Sequence, residues 1–129
     1  MTTTYVAIDL ETTGLDPARD AIIEVAAVTF RGNDVIEEFT SLVNPLRDIP
    51  PFVSQLTGIT DAMVADAPSL FSLRARLKSK LGDHIIVGHN VEFDLGFLRE
   101  ATLAYGNRRI DTVTLASILT PEVGRFSLG

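Results

Sequence analysis

The chain has no cysteine and no tryptophan, and only two histidines among its 129 residues. Without cysteine there are no disulfides and no thiolate zinc sites, and nothing points to an oxidising compartment. An excess of positive charge is missing as well: 17 acidic residues against 11 basic ones give a net charge of -6. No global positive field exists to collect nucleic acid or an anionic membrane, so any nucleic-acid binding has to be local or metal-assisted. Long apolar runs are absent too, and Met1-Thr2-Thr3-Thr4 leads into a strand without a basic flank. Neither a membrane anchor nor a targeting segment is expected, and the cytoplasm is the simplest location. What is present is 46% hydrophobic content in a length that suits one domain, 1–129, able to bury a real core.

Elements follow from the spacing of apolar residues and breakers. Tyr5 to Leu10 reads as a strand closed by the turn Thr13-Gly14-Leu15-Asp16-Pro17, and Ala21 to Phe30, rich in Ile and Val, as a second. After Gly32-Asn33-Asp34, a third runs from Val35 to about Val43 with alternating polarity, and short connections make the three an antiparallel meander. Asn44 to Ala67 holds Pro45, Pro50 and Pro51, with Pro68 just beyond, and leaves room only for helical turns near Phe52–Leu56 and Asp61–Val64. Pro68 fits the first turn of a helix to Leu81 in which Leu70, Leu73, Leu77 and Leu81 share a face. Ile85 to Val87 is a buried strand parallel to the first. A helix capped by Asn90 follows, with Phe93, Phe97, Leu98 and Ala101 facing inward until Gly106 stops it. Arg109 to Asp111 forms a last short strand, and Thr112 to Leu119 is helical, broken by Pro121. The expected fold is a mixed α/β sheet with helices on its faces.

Two features do not serve folding alone. Asp9 and Glu11 stand two apart in Tyr5-Val6-Ala7-Ile8-Asp9-Leu10-Glu11-Thr12, so in an extended strand both carboxylates share a face about 7 Å apart. Apolar flanks suggest a buried central strand, where unpaired like charges cost several kcal/mol or force one group to protonate. Asp94 is the second: it lies on the inward side of the helix opened by Asn90. If the preceding strand lies beside the first, Asp94 comes near Asp9 and Glu11. Oxygen-only ligation suits magnesium or manganese better than zinc, and paired ions are a known solution for phosphoryl hydrolysis.

The run Ile8-Asp9-Leu10-Glu11-Thr12-Thr13-Gly14 resembles the first motif of the DEDD 3′ to 5′ exonucleases, the proofreading-subunit-like superfamily of DEDDh type. His89-Asn90-Val91-Glu92-Phe93-Asp94 resembles the second motif, and Leu56-Thr57-Gly58-Ile59-Thr60 a stretch usual in bacterial proofreading and helicase-associated members. The resemblance implies a ribonuclease H-like fold, a two-ion site for Mg2+ or Mn2+, and hydrolysis of terminal phosphodiesters at a single-stranded 3′ end, DNA before RNA. It casts Asp9, Glu11 and Asp94 as catalytic metal ligands, with Thr12, Thr57, His89 and Asn90 near the substrate strand. It also implies a place in a larger polymerase or helicase polypeptide.

That family pattern needs a third motif, a His and, five residues later, an Asp. Here both His84 and His89 precede Asp94, and Arg125-Phe126-Ser127-Leu128-Gly129 resembles only the approach to the missing helix. The domain is therefore expected to be incomplete at its C-terminus, its ion site incomplete, and the fragment inactive or nearly so. Asp111 resembles a fixed structural aspartate and is not promoted to the absent ligand. Plainer readings stand beside these: solvated acids at a strand end for Asp9 and Glu11, an arginine partner for Asp94, a loop role for His89, and turn chemistry for Thr57 and Gly58. Arg74, Arg76, Lys78 and Lys80 read as a solvated helix face rather than a DNA track. A noncatalytic interaction module and an RNA-directed exonuclease are the competing functions.

Overall fold

The computed structural model describes residues 3–104 and 106–113. Strands β1 (Thr4–Thr12), β2 (Ile22–Arg31) and β3 (Asp34–Leu42) form the antiparallel meander. Gly32 supplies the positive φ, 60°, that the two-residue β2–β3 hairpin requires. The connector holds two short helices, α1 (Pro51–Thr57) and α2 (Asp61–Val64), before α3 (Leu70–Leu81). Strand β4 (Ile85–Gly88) returns parallel to β1, and α4 (Val91–Glu100) carries the chain over to β5 (Arg109–Asp111), parallel to β4. The sheet order is β3-β2-β1-β4-β5, a mixed five-stranded sheet flanked by helices.

One face of that sheet makes the core. Val6, Ile8 and Leu10 of β1, Val25 and Ala27 of β2 and Ile86 of β4 pack with Leu73, Leu77 and Leu81 of α3 and with Val91, Leu95 and Leu98 of α4. Full burial of a side chain of this size stabilises by about 1.5–3 kcal/mol, so these leucines fix where α3 and α4 lie. A smaller cluster of Ile23, Ile49, Val53, Ile59 and Val64 seats the connector at the end of β2.

Four sequence expectations change. β1 runs to Thr12 rather than Leu10. Helix α3 begins at Leu70, its cap being Ser69, whose side chain accepts the Ser72 N–H at 3.2 Å. Pro68 lies ahead of that cap because its carbonyl is taken by the Asn44 N–H, at 2.9 Å, next to a parallel bridge from Asn44 to Ser69. Helix α4 stops at Glu100, well before Gly106. There Thr102 and Ala104 turn left-handed, Leu103 is buried and donates its N–H to Leu98 O at 2.7 Å, and Arg74 of α3 caps the Ala101 carbonyl at 2.9 Å. Arg74 also bonds the Thr102 hydroxyl. The basic run is thus more than a solvated face: Arg76 and Lys80 lie 5.6 and 5.1 Å from the centre of the Phe39 ring, and Lys80 pairs with Glu37 at 2.8 Å. Lys78 is exposed.

Thr112 and Val113 are helical, as expected for a helix from Thr112. The remainder of that helix to Leu119, its break at Pro121, and Arg125–Gly129 lie outside the described residues. Among the described residues no helix is long and apolar enough to cross a membrane.

Candidate active site

The site is built where two parallel strands end. β4 pairs with β1 only from Tyr5↔Ile85 to Ala7↔Val87, and the chain then turns into α4. Beyond Ala7 the edge of β1 is open, and the Leu10 N–H donates to the carboxylate of Asp94 in the first turn of α4. Ligand sites in open α/β sheets commonly sit at such carboxyl ends of strands.

Burial is distributed otherwise than the flanking apolar residues led one to expect. β1 alternates, with Val6, Ile8 and Leu10 in the core, so Asp9 is exposed and Glu11 half-buried on the opposite face. The buried acid is Asp94, 4% exposed. Burial, the charge of Asp9 and then that of Glu11 push its carboxyl up from 3.8 to about 7; the Leu10 N–H works against this, and Asp111 adds a smaller upward push. The Glu11 carboxyl is raised by burial, by Asp9 and by Glu24, its cross-strand neighbour on β2. Among the described residues Asp94 has no arginine, lysine or histidine at ion-pair distance. The nearby arginines serve Glu92 instead, Arg99 at 3.7 Å and Arg109 at 2.6 Å.

Asn90 occupies the cap position but does not cap. Its backbone is left-handed, φ 68°, and its side chain makes no capping bond. The acceptor is Asp111 at the end of β5, whose Oδ1 takes the Asn90 N–H at 3.0 Å and the Val113 N–H at 2.9 Å while Oδ2 takes the Val91 N–H at 3.2 Å. This ties β5 to the start of α4 and so aims Asp94. No local sequence signal marks Asp111 for the task, since it comes from 20 or so residues downstream.

The other sequence-selected residues divide. Thr12 donates to the Gly14 carbonyl at 2.5 Å. Thr57 donates to Val53 O at 2.8 Å and accepts the Ile59 N–H at 3.1 Å, with Gly58 left-handed at φ 77°, which is turn chemistry. Both threonines nevertheless line one cleft of about 790 Å³ with Glu11. His89 and Asn90 are exposed and do not line it; His89 Nδ1 sits 2.7 Å from the Thr112 hydroxyl. Sequence reading missed the apolar rim of this cleft: Leu15, Phe52 and Leu56 are 83, 67 and 83% exposed, with Phe93 of α4 behind them. The available signal was Phe52 and Leu56 at helical spacing on a helix that buries only Val53.

Among the described residues no three Asp, Glu or His side chains are gathered closely enough to grip an ion as they stand. Burial and the neighbouring charges nonetheless raise two carboxyls of an all-oxygen donor set, Asp94 by Asp9 and Glu11 and Glu11 by Asp9, which a hard divalent cation would relieve. The residues present fit such an ion.

Comparison with known proteins decides the family, since the exonuclease family RNase_T matches residues 6–127. The chain belongs to this exonuclease family. Over 130 residues it is 41% identical to the PolC-type DNA polymerase III of Bacillus cereus, covering 97% of the chain and 9% of that relative. Exonuclease X in complex with 5′ overhanging duplex DNA is similar at a TM-score of 0.74 with 31% identity, over 91% of this chain and 64% of that one. The metal-free Escherichia coli ExoI–ssDNA complex is similar at 0.77 with 26% identity, over 93% and 31%. The chain thus spans about a tenth of the curated relatives it matches. The ribonuclease H-like exonuclease fold accounts for the strand order, three antiparallel strands followed by two parallel ones.

Proposed function

We propose that residues 1–129 belong to one exonuclease domain, incomplete without a third motif, which when complete hydrolyses the terminal phosphodiester of single-stranded DNA from the 3′ end, within a larger replication or repair polypeptide. The observation that carries this reading is Asp94, its carboxyl pushed up to about 7 by burial and then by Asp9 and Glu11, beside an apolar cleft at the strand ends. Two magnesium or manganese ions, when bound, would supply an activated water and positive charge for the departing 3′ oxygen. Asp9 and Glu11 would hold them from β1. Asp94 would join from α4, its carboxylate steadied by the Leu10 N–H. Thr12 and Thr57 border the terminal nucleotide, and Leu15, Phe52, Leu56 and Phe93 offer its base an apolar seat. Stacking on an aromatic ring is worth about 1–3 kcal/mol per base. His89 and Asn90, exposed at the start of α4, meet the strand outside that cleft. DNA is favoured over RNA because the relatives include a DNA polymerase and DNA-bound exonucleases.

The histidine and aspartate of the third motif are not supplied by residues 95–129 in the spacing the family uses. Losing a general base costs about 10²–10⁴ in rate, so these residues by themselves are expected to hydrolyse DNA feebly or not at all. The test is a chain extended through a relative's third motif and given 3′-labelled single-stranded DNA. Label release that requires Mg2+ or Mn2+ and disappears in Asp9→Ala supports the reading. A protein that binds Mn2+ and leaves every strand intact, or that cuts only RNA, sinks it.

A further inference from the structure

The loop that follows Glu11 and Thr12 is held shut by a side chain that no exonuclease motif required. Between Glu11 and Thr12 the register with β2 slips, Glu11 facing Glu24 and Thr12 facing Ile22. Thr13 comes next, 3% exposed and bound on both sides. Its N–H donates to Ala21 O at 2.8 Å, its hydroxyl accepts the Ala21 N–H at 3.0 Å, and the same hydroxyl donates to Asp20 Oδ1 at 3.1 Å. The second oxygen of Asp20 accepts the Asp16 N–H at 3.0 Å. Gly14 makes room for this clasp, because a Cβ there would stand 2.4 Å from Asp20 Oδ2.

The loop is pinned at two more points. Arg47 of the connector donates to the Arg19 carbonyl. Pro17 rests against α4 at Gly96, where a Cβ would meet Pro17 Cγ at 3.1 Å. The segment so tied supplies Gly14, Leu15, Asp16, Arg19 and Asp20 to the wall of the 790 Å³ cleft, next to Glu11 and Thr12. It therefore behaves as a fixed wall joined to β1, β2, the connector and α4, and a mobile lid is the wrong description.

We propose that Asp20 is a positioning residue: its carboxylate locks residues 13–20 so that Thr12 and Leu15 stand where the terminal nucleotide seats. This rests on the exonuclease reading of the same cleft. The metal-facing acids sit on β1 and α4, so releasing the loop should disturb nucleotide binding and spare ion binding.

The test uses the chain as it is, with anisotropy of a fluorescein-labelled single-stranded oligonucleotide in Mn2+ and, separately, Mn2+ affinity by electron paramagnetic resonance. Asp20→Ala removes the clasp, and Gly14→Ala pushes the carboxylate out from the other side. Each should weaken oligonucleotide binding about tenfold, the worth of one good hydrogen bond, with Mn2+ affinity held within about twofold and far-UV circular dichroism unchanged. Asp20→Asn, which keeps one acceptor, should fall between. Oligonucleotide binding unchanged in both Asp20→Ala and Gly14→Ala overturns the proposal. So does loss of circular dichroism or of Mn2+ affinity together with oligonucleotide binding, because Asp20 would then be a structural residue only. If the unsubstituted chain binds no oligonucleotide, its cleft does not seat the nucleotide and the proposal falls, while the exonuclease reading is judged separately by label release from the extended chain.

Discussion

Asp94→Asn should make the metal-free protein more stable at alkaline pH, although it removes a proposed catalytic group. The carboxyl ordinarily titrates at 3.8 and is pushed up to about 7 by burial and by Asp9 and Glu11, with Asp111 of β5 adding to them. That interval sets an upper bound of about 4 kcal/mol on the cost of holding Asp94 ionised. Asp9 is exposed, so solvent screening reduces the realised cost to about 2 kcal/mol. The sign follows from proton counting. Between pH 3.8 and about 7 the unfolded chain has released this proton while the folded chain keeps it, so stability falls as pH rises through that window and is level above it. Asparagine escapes the penalty and still accepts the Leu10 N–H. Calorimetry in EDTA should place the variant about 6–8 °C above the unsubstituted chain at pH 8. The gap should shrink to under about 1 kcal/mol at pH 4. Added Mn2+ should raise the melting temperature of the unsubstituted chain more than that of the variant. A variant less stable at pH 8, or a difference that does not change with pH, would refute the claim that burial, Asp9 and Glu11 hold the Asp94 carboxyl up in the folded state.

Three further outcomes follow from named contacts. Asp111→Ala frees the Asn90, Val91 and Val113 amides and should cost about 2–3 kcal/mol in urea unfolding, with Asp111→Asn costing less. Arg74→Ala strips the cap from Ala101; about 1–2 kcal/mol should be lost, and hydrogen exchange at the Leu103 amide should quicken. Leu46 is 78% exposed at φ 59°, so Leu46→Gly should stabilise by up to about 1 kcal/mol in the same urea assay.

The fold and the site were legible in the sequence where chemistry and periodicity are local. A strand period of two placed Asp9 and Glu11 on one face, and a helical period placed Asp94 on the inward side of α4. The order of strands followed from which connections were short and which contained a helix. What failed to show was set by residues distant in sequence. Which acid is buried depends on β4 ceasing to pair at Val87, which lets the first turn of α4 settle against Leu10. The cap of α4 comes from Asp111 and its stop from Arg74, neither of them within the helix. Lys80 looked solvated because its partners, Glu37 and Phe39, lie on β3 some 40 residues earlier. The cleft rim was hidden for a similar reason: Leu15, Phe52 and Leu56 look like ordinary apolar residues until β1, α1 and α4 come together.

The most direct measurement is a time course on single-stranded DNA carrying different labels at its two ends, using the extended chain with Mg2+. The 3′ label should be released first as a mononucleotide while the 5′ label passes down a ladder one nucleotide at a time, with both signals abolished by Asp9→Ala. Release beginning at the 5′ end, internal cuts without a ladder, or activity that survives Asp9→Ala would contradict the proposed function.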